Sequence, residues 1–168
     1  AHIKLVEDRD NDMIYVTNAY KASKVSANDA WGAVKGWAAD VPTAWPHDGL
    51  QNEKGRDDAV QQKQHYSSAG FNMLPVHATW QEGGNSVESG LYLIGDAMRK
   101  GKFKIFRGLI DVMDEVRQYH RDERGKIVKT RDDLLDAIRY AYMMRRYAVR
   151  VGEVGKPAAK KIKFAGWG

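Results

Sequence analysis

The sequence predicts an α/β layered domain. Stretches rich in β-branched and aromatic residues alternate with amphipathic helical stretches through most of its 168 residues, the order that lays helices on a sheet. Hydrophobic residues make up 43% of the chain, enough to fill one core and too many for a disordered polypeptide. No apolar run is long enough to span a bilayer and no secretory-signal pattern stands at Ala1, so neither export nor membrane insertion is expected. The absence of cysteine excludes disulfides and thiolate metal sites. The formal charge of +5 is unevenly placed: from Arg145 to Gly168 seven Lys or Arg face the single acid Glu153, a local +6 that leaves about −1 for residues 1–144. A polyanionic partner is expected at that end and is not demanded of the whole surface.

Taken in order, IKLV and MIYVTNAY within His2 to Ala22 predict a β-hairpin, with the polar EDRDND as its turn. Asp8, Asp10 and Asp12 alternate as calcium ligands do, but no glycine or distal Glu completes such a loop, and a solvated hairpin tip is the reading. Ser26 opens a helix, SANDAWGAVKGWAAD, with Ala30, Val34 and Trp37 on one apolar face. Val41 to Trp45 is a short strand broken by Pro42 that runs into PHDGLQNEKG, a polar loop at a strand end, where α/β folds commonly place chemistry. Residues 56–69 form a polar surface helix closed by Gly70, and FNMLPVHATW a strand whose Pro75 points to an edge or irregular position. Ser86 caps a helix with Leu91, Ile94 and Met98 on its face. KFKIF is a brief strand, and LIDVMDEVRQYHR an amphipathic helix with Ile110, Met113, Val116 and Tyr119 on a face. The glycines match neither the Walker nor the dinucleotide pattern, so nucleotide hydrolysis is not supported within this chain. Residues 156–168, KPAAKKIKFAGWG, are a basic tail after a domain of residues 1–155.

Chemistry concentrates in Lys129 to Tyr147. Asp132, Asp133 and Asp136 fall within five residues at the start of a helix whose apolar stripe is Leu134, Leu135, Ile138, Ala141 and Tyr142. Thr130 and Asp133 have the spacing of a capping box, and acids in a first turn favour the helix dipole, so capping alone accounts for part of the pattern. Asp48, in the Pro-His-Asp-Gly turn, is the second acid of interest, with His47 and His77 as loop residues at the same sheet end. Acids gathered without cysteine or a histidine cluster favour a hard, oxygen-ligated cation, magnesium or manganese, and a pair of such ions suits phosphodiester cleavage.

The ordered set AWPHDGLQNEKG, FNMLPVHATWQEGGNSVESGL, GKFKIF and VRQYHRDERGKIVKTRDDLLDAIRYAYMM resembles the nuclease domain of the large terminase subunit of tailed bacteriophages, in its headful-packaging group, over roughly Val41 to Tyr147. The resemblance implies a ribonuclease H-like fold, a central mixed β-sheet flanked by helices, and a two-metal Mg2+ or Mn2+ endonuclease that cuts concatemeric double-stranded viral DNA during packaging. By the same resemblance Asp48 and Asp133 are the catalytic metal ligands, with Asp132 an auxiliary ligand or rival of Asp133, and Asp136 structural. Lys129, Arg131, Arg145 and Arg146 are the expected DNA contacts, and Lys160, Lys161, Lys163, Phe164 and Trp167 the expected docking residues. Implied partners are double-stranded DNA, a packaging ATPase domain preceding this region, the portal and the small terminase subunit, in the host cytoplasm and with no membrane.

One departure accompanies the resemblance. The family carries its first catalytic Asp on a strand before the hairpin, and this chain opens at Ala1 inside or just after that strand. The expectation is therefore a domain without its first ligand and with weak or no cleavage by itself. Two other readings stand beside the endonuclease: a non-catalytic DNA- or portal-docking module, and a ribonuclease H-like junction resolvase acting on branched DNA.

Overall fold

A computed structural model describes residues 1–50, 61–128, 130 and 132–150. The predicted hairpin is present: β1 (His2–Asp8) pairs antiparallel with β2 (Met13–Tyr20), with a register shift between Lys4 and Leu5. Its tip is a polar turn. Asp8 accepts from the backbone N–H and the side-chain amide of Asn11 at 3.2 and 2.8 Å, bonds that hold its carboxyl below the usual range, and Asp12 takes a left-handed φ of 52°. β3 (Phe103–Ile105) lies parallel to the other side of β2, giving the order β1-β2-β3. A parallel neighbour cannot be reached by a tight turn. The crossover between β2 and β3 carries α1 (Ala27–Ala38), α2 (Gln62–Ala69) and α3 (Val87–Arg99).

Local signals set the ends of these helices. Ser26 and Asp29 form the reciprocal capping box of α1. Gly70 closes α2 at φ 120°, and a Cβ there would sit 2.7 Å from the Trp31 ring, so both conformation and contact require glycine. Around this junction Ala30, Val34, Ala38 and Phe71 make one core cluster. The larger cluster joins Val16 and Phe103 of the sheet to Ile94 of α3, Val112 of α4 (Ile110–Gln118) and Leu134, Ile138 and Tyr142 of α5 (Asp133–Met144). Leu134, Ile138 and Tyr142 recur every four residues, the spacing of one helical face. No helix among the described residues is long and apolar enough to cross a membrane.

Two strands and one helix face are corrected, and one helix is seen in part. Val41–Trp45 and residues 71–80 are not strands among the described residues: they meet at a single parallel bridge, Thr43 to Met73, with a further bond from Ala78 N–H to Trp45 O at 2.7 Å. Pro42, Pro46 and Pro75 each remove a donor that a ladder needs. The helix expected over 56–69 is seen from Gln62, its earlier residues lying outside those described. In α4 the inward residues are Val112 and Glu115, while Ile110 is 60% exposed. A buried glutamate is hidden from an apolar-periodicity reading, and it turns the whole helix.

His2 reports on the smaller cluster. Its ring stacks on Phe71 at 5.1 Å between Tyr20 and Tyr66, and burial lowers its pKa from 6.5 to about 4. The folded protein holds the ring neutral, so this contribution to stability is full above pH 6.5 and is lost as the pH falls toward about 4. Urea midpoints measured across that interval should fall more steeply for the wild type than for His2→Phe, whereas parallel curves would contradict this account.

Candidate functional site

The start of α5 is built by a residue from another helix. Asp132 is the N-cap but its side chain makes no cap bond, and the Thr130–Asp133 capping box is not formed. The first-turn N–H groups of Leu134 and Leu135 instead donate to Glu115 Oε2 of α4 at 2.8 and 3.1 Å. Glu115 Oε1 accepts from Lys21 Nζ, just after β2, at 2.7 Å. The same ammonium lies 2.8 Å from Asp133 Oδ2. A carboxylate, an ammonium and a second carboxylate thus tie β2, α4 and α5 together at one point. The anion at the helix N-terminus is favoured by the unsatisfied N–H groups and the helix dipole.

The two carboxylates differ in kind. Glu115 is 6% exposed and fully engaged, while Asp133 is 63% exposed with an open side. Hydrogen bonding to Lys21 lowers the Asp133 carboxyl below its usual range, and bonds to Asp133 and then Glu115 raise Lys21.

The other acids are distributed along α5. Asp132 and Asp136 act together on Tyr119, whose hydroxyl burial pushes up first and these two charges raise further. The charge of Asp132 is thus felt at Tyr119, while Asp133 pairs with Lys21. Asp136 holds the buried Arg139 at 2.9 and 3.1 Å, and Arg139 also donates to Asn85 O at 3.2 Å. Asp48 lies exposed in a 3-10 helix, His47–Leu50, anchored by Gly49, where a Cβ would stand 2.7 Å from the Trp45 ring. Burial first, then the charge of Asp136 and last that of Asp48, raise the Tyr140 hydroxyl, so Asp48 is felt at a point two helical turns along α5 from Asp133. The His47 and His77 rings meet edge to face at 5.0 Å. Among the described residues no group of three Asp, Glu or His converges to hold a metal ion.

Arg145 and Arg146 sit at the opposite end of α5. Arg145 stacks on Tyr142 at 4.2 Å and donates to its carbonyl, while Arg146 donates to Thr79 O and Met143 O at 2.9 and 2.8 Å. Both satisfy carbonyls at or near the helix C-terminus, about 18 Å along the axis from Asp133 by helical rise. Lys129, Arg131, Lys160, Lys161, Lys163, Phe164 and Trp167 lie outside the described residues. Lys21 and Glu115 are the residues that sequence reasoning missed. Glu115 was detectable only as an acid three residues after Val112 on an inward face.

A hairpin joined to a mixed sheet, flanked by helices and closed by an acid-bearing helix, defines a ribonuclease H-like domain. The terminase RNaseH-like domain model matches residues 1–145, and the chain belongs to that family. It is 54% identical over 162 residues to the terminase large subunit of Salmonella phage P22, covering 96% of this chain and 32% of that protein. The terminase large subunit of Enterobacteria phage LP7 is 55% identical over 145 residues, covering 86% of this chain and 30% of that protein. The chain thus spans about a third of the length of these relatives. A solved structure of the P22 large terminase nuclease domain matches with a TM-score of 0.84 at 52% identity, over 92% of this chain and 78% of that one.

Removing the Glu115 carboxylate strands the buried N–H of Leu134 and the part-buried N–H of Leu135 and weakens the seat of Lys21. Glu115→Ala should cost about 3 kcal/mol of unfolding free energy in urea titration, and Glu115→Gln, which keeps an acceptor oxygen, less. A loss for Glu115→Ala below about 0.5 kcal/mol, the level of an ordinary surface change, would contradict the assignment.

Proposed function

We propose that this domain is a metal-dependent endonuclease that cuts concatemeric double-stranded viral DNA during genome packaging by two-metal hydrolysis of a phosphodiester. The observation that carries the reading is Asp133: an outward carboxylate fixed at a helix start, already holding a cation at 2.8 Å, in a chain of the terminase family. The donor chemistry fits magnesium or manganese, because it is all oxygen and the acid is accessible. Magnesium keeps several waters and takes one or two carboxylates together with substrate phosphate oxygens. One exposed carboxylate is therefore enough protein anchorage for one ion, with phosphate completing the shell.

In this reading Asp133 would be the principal ligand; Asp48 and Asp132 are the further carboxylates that the family resemblance implies, and among the described residues neither is brought to the Asp133 carboxylate. The ions supply the charge that activates water and stabilises the leaving oxygen. Glu115 holds the first turn of α5 so that Asp133 does not drift, a matter of consequence where misplacement by 1 Å lowers rate steeply. Lys129 and Arg131, which precede α5 in the sequence, are the DNA-backbone contacts in this reading. Contacts of that kind position the duplex without reading its bases, so sequence preference should be low. Arg145 and Arg146, engaged with carbonyls, serve the helix end before any DNA. The wider setting in this reading is a packaging complex in the host cytoplasm, comprising an ATPase segment, the portal and the small terminase subunit, with residues 156–168 as the docking tail.

Incubated with manganese and a linear duplex, the protein carrying this domain should produce cuts that chelation prevents. Asp133→Asn should lower the rate by at least about 100-fold with the far-ultraviolet circular dichroism unchanged. Undiminished cleavage by Asp133→Asn would exclude it as a ligand, and cleavage restricted to four-way junctions would favour the resolvase reading.

A further inference from the structure

We propose that Lys21 is a built-in counter-ion of the acid site, neutralising Asp133 while no divalent ion is bound and leaving it, but not Glu115, when one binds. The inference rests on the reading of Asp133 as a metal ligand and adds a residue that the reading does not require.

Three features of the geometry carry it. Lys21 Nζ bridges the carboxylates at nearly equal distances, 2.7 Å to Glu115 Oε1 and 2.8 Å to Asp133 Oδ2. The bridge is lopsided in its freedom to open. Glu115 is 6% exposed, and its other oxygen receives the N–H groups of Leu134 and Leu135, so it cannot follow a departing ammonium. Asp133 is 63% exposed and Lys21 is 31% exposed on a flexible four-carbon stem. The weak joint is therefore Lys21 to Asp133, and the strong one Lys21 to Glu115. Finally, the ammonium occupies Asp133 Oδ2, an oxygen that a ligated ion would use, and like charges repel across so short a gap.

The arrangement has two consequences. Without metal, Asp133 is kept in place by a cation from within the chain, so the first turn of α5 does not depend on an ion for its order. With metal, the ion must compete with Lys21, which sets affinity lower than the carboxylate alone would give and makes occupancy responsive to whatever else draws the ammonium away.

The test is Mn2+ binding, followed by calorimetry and by the electron paramagnetic resonance of free Mn2+, with no DNA present. Lys21→Gln should bind Mn2+ roughly tenfold more tightly than the wild type, the scale of change seen when a neighbour of a ligand is altered. Lys21→Arg should restore affinity close to that of the wild type, and Asp133→Asn should abolish the site in every background. Unchanged or weaker binding by Lys21→Gln, with the Asp133 dependence intact, would overturn the counter-ion role and leave the metal reading standing. Mn2+ binding indifferent to Asp133→Asn would remove the metal reading and the proposal with it. A measurement on the wild type guards against a variant that fails to fold: the side-chain ammonium resonance of Lys21 should shift on saturation with diamagnetic Mg2+. A resonance that stays put at saturation would overturn the proposal.

Discussion

The carboxylate of Glu115 is the point on which this end of the molecule depends. It is nearly inaccessible to water, yet it accepts three bonds, two from the first turn of α5 and one from Lys21. A buried acid without such partners is strongly unfavourable, and breaking one partner away leaves the remainder uncompensated. The consequence is positional. α4 is turned so that Glu115 faces inward beside Val112, α5 begins where its N–H groups find that carboxylate, and Asp133 is carried to the surface beside the end of β2.

Packing then fixes the direction of α5. Leu134, Ile138 and Tyr142 press on Val16 and Phe103 of the sheet, and α3 comes close enough at Gly90 that a Cβ would stand 2.7 Å from the Arg139 side chain. Arg139 is buried with Asp136 as its counter-charge. The helix thus has an ion pair and an apolar stripe holding its middle, arginines at its carbonyl end, and an outward acid at its start. Rigid support of this sort is what a site requires if it is to orient a phosphodiester and not merely attract one.

Much of this was legible in the chain. The capping box of Ser26 and Asp29, the closing Gly70, the hairpin and the brief strand at Phe103 all announce themselves by local chemistry, and the ordered motifs from AWPHDG to the DDLLDA helix led to the terminase family that the comparisons bear out. What failed had physical causes. Prolines at 42, 46 and 75 reduced two expected strands to a bridge. The apolar spacing put Ile110, Met113, Val116 and Tyr119 on one face of α4 and passed over Glu115, so that face was placed wrongly and Ile110 is exposed. The Thr130 spacing mimicked a cap whose work is done from α4. Lys21 left no trace at all, since its bond to Glu115 joins residues 94 apart and no periodicity reports such a contact.

The central claim is that α5 presents Asp133 to a divalent ion in competition with Lys21. Crystals soaked in manganese and measured for anomalous scattering test it most directly. The account predicts a peak about 2.0–2.6 Å from an oxygen of Asp133, with Lys21 withdrawn from that carboxylate and still bonded to Glu115. Manganese bound elsewhere at saturating concentration, with the Lys21–Asp133 contact intact, would contradict it.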